Sequence, residues 1–173
     1  MAPAEIALIA AALLAGSFVF GAAGFAFGLV TVPLLGIVLP IKQAIALQLP
    51  YAFLLCVALA WHYREHLAWR ALRPLLIGAL VALPLGVAML EYAPERAMKL
   101  LLAAFIVVAV VLQGRPLFRK PQNGYAYGAA SGWFQGAFTT GAPPAEIYLV
   151  SRCKDAAAVK GTNGLYFIFL YGA

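Results

Sequence analysis

From Ile6 to Ile41 the chain carries no charge, and glycines interrupt the middle of the run: Gly21-Ala22-Ala23-Gly24-Phe25-Ala26-Phe27-Gly28, with Pro33 beyond. As one straight helix at 1.5 Å per residue this run would reach roughly 54 Å, against a hydrocarbon core about 30 Å thick. It must therefore kink, unwind or re-enter. Unwound backbone at membrane depth is tolerated only where protein or a wet cavity covers its peptide groups. A broken hydrophobic helix of this kind points to a binding site and to a transporter.

The rest of the chain has the same character. Apolar residues make up 65% and charged residues 10%, against roughly half and a quarter in soluble domains. Charge-free runs recur at Gln43–Trp61, Pro74–Leu90, Leu100–Gly114 and Pro121–Ala145. The reading is an all-α integral membrane protein, a polytopic helical bundle. Spans are expected at about 6–37 (broken near 21–28), 43–62, 73–91, 98–113 and 124–151 (broken near 139–144). A sixth starts near 157 and still runs at Ala173. The start, Met1-Ala2-Pro3-Ala4-Glu5, lacks the basic region of a signal peptide.

The net charge of +6 does not call for nucleic acid, because the basic residues fall in short loops where they set topology. Arg64, Arg70 and Arg73 share one loop; Arg115, Arg119 and Lys120 share another. Both should face the cytoplasm, and the balanced loop near Glu91, Glu95, Arg96 and Lys99 should face outward. If the run from about Tyr125 to Ser151 crosses once, Arg152 and Lys154 land on the outer side. That conflicts mildly with the charge rule, unless the broken segment re-enters. Cys56 reads as a small buried hydrophobe, and a disulfide with Cys153 is not expected.

A weak internal repeat appears at an offset of about 115. Gly21-Ala22 aligns with Gly136-Ala137, Leu34 with Leu149, Gln48 with Asn163, and Tyr51 with Tyr166. Both copies place a break at the matching point and an amide early in the next span. This divides the chain into a first transmembrane repeat, 1–120, and the start of a second, 121–173. Four intervening spans imply copies of the same orientation, related by an axis along the membrane normal. The second copy lacks partners for the third and fourth spans. It is therefore incomplete, as in a fragment or short member of a protein of about eight spans.

Several positions carry chemistry. Gly24 and Gly28 of the first break allow tight turns or close helix packing, and the sharper reading is a half-helix end aimed at a ligand. The second break is Thr139-Thr140-Gly141-Ala142-Pro143-Pro144. Its prolines suit the first turn of a new helix, whose positive end binds small anions; the plainer reading is a proline kink. Gln48 and Asn163 are amides in apolar surroundings, forming either an interhelical hydrogen bond or a pair of donors to one shared cavity. Lys160 reads as a snorkelling residue. Glu146, two positions after Pro144, is a candidate for proton coupling. His62-Tyr63-Arg64-Glu65-His66 matches the H-x-x-E-H spelling of inverted zinc proteases. It gives the competing reading of a membrane-embedded metalloenzyme on His62, Glu65 and His66, although Trp61, Trp69 and Arg70 around it look like an interfacial belt.

Three segments, in order, carry a family resemblance. Gly24-Phe25-Ala26-Phe27-Gly28-Leu29-Val30-Thr31-Val32-Pro33-Leu34-Leu35 resembles the first signature of the sulfite exporter TauE/SafE family. Leu72-Arg73-Pro74-Leu75-Leu76-Ile77-Gly78, continuing to Leu83-Pro84-Leu85-Gly86, is similar to its third span. Gly128 to Leu149, with Ser131-Gly132, Gly136, Phe138 and Gly141-Ala142-Pro143-Pro144, resembles its second signature. Ala26 and Ala142 stand where that family commonly has glycine. The resemblance implies a multi-pass bacterial inner-membrane protein that exports sulfite or another small sulfur-containing or carboxylated anion. It implies no enzyme activity and no cofactor. The expected partners are the anion, the lipid bilayer, and the rest of the second repeat or another protomer. A non-transporting membrane scaffold is a third possibility for the chain.

Overall fold

Left-handed backbone stops the first helix at the glycine break. In the computed structural model, which describes residues 3–113 and 123–172, helix α1 (Pro3–Ala23) ends at Gly24, with φ 85°, and Ala26, with φ 73°. Helix α2 (Phe27–Leu35) then doubles back along α1. A Cβ on Gly16 would lie 2.3 Å from Thr31 Cγ2. The Phe20 ring meets Phe27 edge-on at 6.5 Å, and Ala12 shares a buried cluster with Leu35. The broken span expected over 6–37 therefore re-enters as a helical hairpin. It is glycine at the tip and small residues along the seam that let the two arms close.

The second break behaves in the same way. Helix α6 (Gly124–Phe138) ends at Thr139, whose φ is 53°. Helix α7 (Ala142–Arg152) returns beside it. The Tyr127 and Tyr148 rings stack at 6.3 Å, and a Cβ on Gly124 would meet the Tyr148 hydroxyl at 2.7 Å. The span expected over 124–151 thus re-enters instead of crossing once.

The remaining helices are α3 (Ile41–His62), α4 (Trp69–Tyr92), α5 (Glu95–Gln113) and α8 (Ala156–Tyr171), with a 3-10 turn at Arg64–His66 between α3 and α4. These match the spans expected at 43–62, 73–91, 98–113 and from 157. Among the described residues three helices are long and apolar enough to cross a membrane, Glu5–Ala23, Ile41–His62 and Trp69–Tyr92. Pro50, Pro74 and Pro84 lie inside α3 and α4, a placement that membrane helices tolerate.

Glycines bring α4 and α6 into backbone contact. Cβ atoms on Gly128, Gly132 and Gly136 would lie 2.1, 2.2 and 2.5 Å from the carbonyl oxygens of Leu75, Ala79 and Leu83. Without a hydrophobic driving force between helices in lipid, such close van der Waals packing is what holds a bundle together. The register rises on both helices together, so α4 and α6 are parallel.

Relative directions follow from contacts of this kind. Gly161 packs on Tyr63, and Gly164 on Cys56 and Ala60, so α3 and α8 are antiparallel. Each hairpin reverses once, and each second arm reverses again into α3 or α8. The α1-α2-α3 unit therefore runs opposite to α6-α7-α8. Their boundaries coincide at one offset: Ala23 and Phe138, Phe27 and Ala142, and Ile41 and Ala156 are each 115 positions apart. The expected same-direction relation is corrected. A hairpin contributes no crossing, so three crossings separate the units, and the axis relating them lies in the membrane plane.

This topology removes the charge conflict. The start of α8 packs on the α3–α4 link, where Ala68 N donates to Thr162 Oγ1 at 2.9 Å. Arg152 and Lys154, which flank the end of α7, therefore share a face with Arg64, Arg70 and Arg73. The opposite face carries Lys42, whose Nζ donates to Glu91 O at 2.7 Å, and the Glu95–Lys99 pair at 2.9 Å. That pair holds the Glu95 carboxyl below its usual range. The basic loop with Arg115, Arg119 and Lys120 lies outside the described residues. Single cysteines at Arg64 and Lys154, in a background lacking Cys56 and Cys153, are expected to react with an impermeant thiol reagent from one side of the membrane. A cysteine at Lys99 is expected to react from the other. Labelling of position 154 together with 99 would refute the second hairpin.

Candidate functional site

The two hairpin tips meet inside the bundle. A Cβ on Gly28 would lie 2.5 Å from Thr139 O, 3.0 Å from Thr140 Cγ2 and 3.3 Å from Gln48 Nε2. Only glycine allows the start of α2 to touch the backbone of the other tip.

Each tip is held by an amide from the opposite unit. Gln48 Nε2 donates to Thr139 Oγ1, and the Thr31 hydroxyl donates to Gln48 Oε1. Asn163 Nδ2 donates to Gly24 O at 3.0 Å. Gln48 and Asn163 are equivalent by the internal offset, as are Gly24 and Thr139, so the two braces repeat each other across the pseudo-twofold axis. Each amide is the eighth residue of its helix, about 10 Å from its start. Both braces are thus well inside the apolar layer. Removing either Gln48 or Thr139 by alanine substitution is expected to destabilise the protein. Their double-mutant coupling should be about 1 kcal/mol, measured by unfolding in mixed micelles. A coupling near zero would deny the brace.

The second tip is fixed further. Ser131 Oγ donates to Gly141 O at 2.6 Å, Gly141 N donates to Gln135 Oε1 at 3.1 Å, and the Tyr166 hydroxyl donates to Ser131 Oγ at 2.8 Å. Thr31 and Gln135 were not singled out from the sequence. The usable signal was spacing: Ser131 and Gln135 are four apart and share one face of α6.

Helices α3 and α4 begin after Pro40 and Ala68 without a side-chain cap. α6 and α8 begin at the surface and are capped by Asn123 and Asp155, whose side chains accept from Tyr125 N, Ala126 N and Ala158 N. α2 and α7 begin in the interior, after Ala26 and Gly141, and neither has a side-chain cap. The first N–H groups of a helix have no partner within it. On α2 these belong to Phe27, Gly28 and Leu29; on α7 the prolines leave that of Ala142. Phe27, Gly28, Leu29 and Ala142 all border one cavity of about 20 Å³, which Thr139, Thr140 and Gln135 also line. That is room for about one water.

Within this cavity wall Thr140 is 2% exposed, and its Oγ1 has no hydrogen-bond partner. Asn163 Oδ1 beside the first tip and Oε2 of half-buried Glu146 also have no hydrogen-bond partner. Glu146 is one helical turn beyond Ala142 on the same face of α7. Gln48 and Asn163 do not border the cavity. The expectation that both amides face one shared cavity is replaced by two separate braces. Lys160 Nζ donates to Ala22 O at 2.8 Å, at the end of α1.

The H-x-x-E-H segment lies elsewhere. His62, Glu65 and His66 are exposed at the end of α3 and in the 3-10 turn. His62 packs edge-on to Tyr63 at 4.7 Å, and the Arg64 guanidinium lies 4.8 Å over Trp61. Among the described residues no group of three histidines, cysteines or carboxylates is placed to hold a metal. The arrangement is that of an interfacial belt.

No curated protein and no solved structure matches the chain. The model of one family does, over residues 8–173, and it spans both hairpins, both braces and the helices between them. With its apolar helices and paired helical hairpins, the chain belongs to the sulfite exporter TauE/SafE family of membrane transporters.

Proposed function

We propose that the protein exports a small anion, sulfite, an organosulfonate or a related sulfur-containing or carboxylated anion, across the bacterial inner membrane. One observation carries this reading: two uncapped helix starts, from hairpins of opposite direction, border a single cavity between the tips. Helix starts with free N–H groups favour negative charge and place donors on it. The tips supply Gly24, Gly28, Thr139, Thr140 and Gly141, and Gln48 and Asn163 hold those tips in position. Thr140 Oγ1 is the side-chain donor to the anion.

The cavity as it stands is too small for a sulfite or sulfonate group, so passage requires the tips to part. Gln48–Thr139 closes the path on the side from which the first hairpin enters, and Asn163–Gly24 closes it on the other. Opening one brace while its counterpart stays shut gives alternating access. Residues 1–120 and 121–173 then act as two inverted repeats, the second completed by further helices of the same protein or of another protomer. Those helices would cover the apolar groove of about 490 Å³ between α5, α6 and α7. Glu146 couples export to protons. The face with Arg64, Arg152 and Lys154 is cytoplasmic by the charge rule.

Liposomes containing the purified protein provide the test. Labelled sulfite, methanesulfonate or acetate is expected to exchange across the membrane in a protein-dependent, saturable way. No flux of any of these would favour a scaffold role.

A further inference from the structure

We infer, resting on the transport reading above, that the site admits singly charged anions and rejects doubly charged ones. For sulfur oxyanions the carried species is then hydrogensulfite or a sulfonate, and not sulfite dianion or sulfate.

The inference comes from counting positive charge. Each helix start is equivalent to roughly half an elementary charge, so α2 and α7 together offer about one. Among the described residues no side chain adds to it. No lysine, arginine or histidine lines the cavity. Helices α1, α2, α3, α6, α7 and α8 pack around it. Among the described residues their charged and titratable side chains near the cavity are Cys56 and Tyr171 in its wall, Tyr166 on Ser131 Oγ, and Glu146 one turn away. All four are acids. Lys160 sends its ammonium to Ala22 O, Lys42 sends its own to Glu91 O, and the Arg152 guanidinium lies 5.7 Å over the Tyr148 ring near the end of α7.

A second observation is independent of the helix ends. Thr140 Oγ1, 2% exposed and without a partner, is a neutral hydrogen-bonding group in the cavity wall. It suits an oxyanion oxygen and brings no charge. Burying an ion costs energy that grows with the square of its charge, whereas its attraction to a fixed field grows only in proportion. A site worth about one positive charge can offset one negative charge. For a dianion the penalty quadruples while the compensation only doubles.

Proteoliposome flux at fixed total sulfite, divided by methanesulfonate flux at the same pH, tests this. Methanesulfonate keeps one charge throughout, so the ratio removes any titration of Glu146, Cys56 or the lipid. The ratio is expected to fall about tenfold per pH unit above the second ionisation of sulfite, following the monoanion fraction. Unlabelled sulfate should leave methanesulfonate flux unchanged at concentrations where hydrogensulfite at low pH blocks it. A ratio that stays level or rises with pH, or competition by sulfate as strong as by hydrogensulfite, would overturn the inference and leave transport standing. Absence of flux for every anion at every pH would overturn both.

Discussion

Gly28→Val is expected to abolish anion flux while the protein still inserts and purifies. The added Cβ would lie 2.5 Å from Thr139 O and 3.0 Å from Thr140 Cγ2. The first of these atoms is backbone in a tip held by Gln48, Ser131 and Gln135, so it cannot retreat by a simple rotamer change. The tips must move apart by an ångström or so. Overpacking of this kind costs about 1–3 kcal/mol, which a bundle anchored elsewhere by α4 and α6 can absorb. Donor placement at the cavity is less forgiving, since a shift of about 1 Å in a binding group can cost 100-fold in rate. Flux in proteoliposomes should fall to the protein-free background, with the detergent melting temperature shifting only modestly. Flux within threefold of the parent would show that the tips do not form the path.

A matched pair of substitutions should separate the two repeats by stability. Gly136→Leu is expected to destabilise the protein by about 3 kcal/mol or more. Its Cβ would lie 2.5 Å from Leu83 O and 2.8 Å from Val87 N, both backbone atoms of α4. Two parallel helices would have to separate along their closest seam, losing the packing that replaces the hydrophobic effect in lipid. Gly21 is the same position of the first repeat, and a Cβ there meets nothing within 4 Å. Gly21→Leu should change stability by no more than about 0.5 kcal/mol. Unfolding in mixed micelles measures both. Equal losses would mean that another helix covers α1 as α4 covers α6.

That asymmetry marks how far the sequence could be read. Gly21 and Gly136 look alike in a string of letters, and the repeat aligns them. Only packing distinguishes a glycine at a helix seam from one facing open space. The same holds for the amides. Gln48 and Asn163 are conspicuous as polar residues in apolar runs, and a buried amide must find a partner. Which partner depends on what the other hairpin brings to that depth. Their partners, Thr139 Oγ1 and Gly24 O, lie 91 and 139 positions away in the chain.

Hydrophobicity along the chain is one-dimensional, and it was enough to establish the membrane class, the helical spans, the two break points and the offset of the repeat. A break point does not carry its own direction. Whether the chain continues across the bilayer or folds back is decided at Gly24, Ala26 and Thr139 by left-handed torsions. Those torsions persist because Gly16 admits Thr31 and Gly124 admits Tyr148 along the returning arms. Each reversal removes one crossing, so a local angle at three residues inverted the orientation of half the molecule and brought two helix starts to one cavity. Long-range contact, and not composition, settled that arrangement.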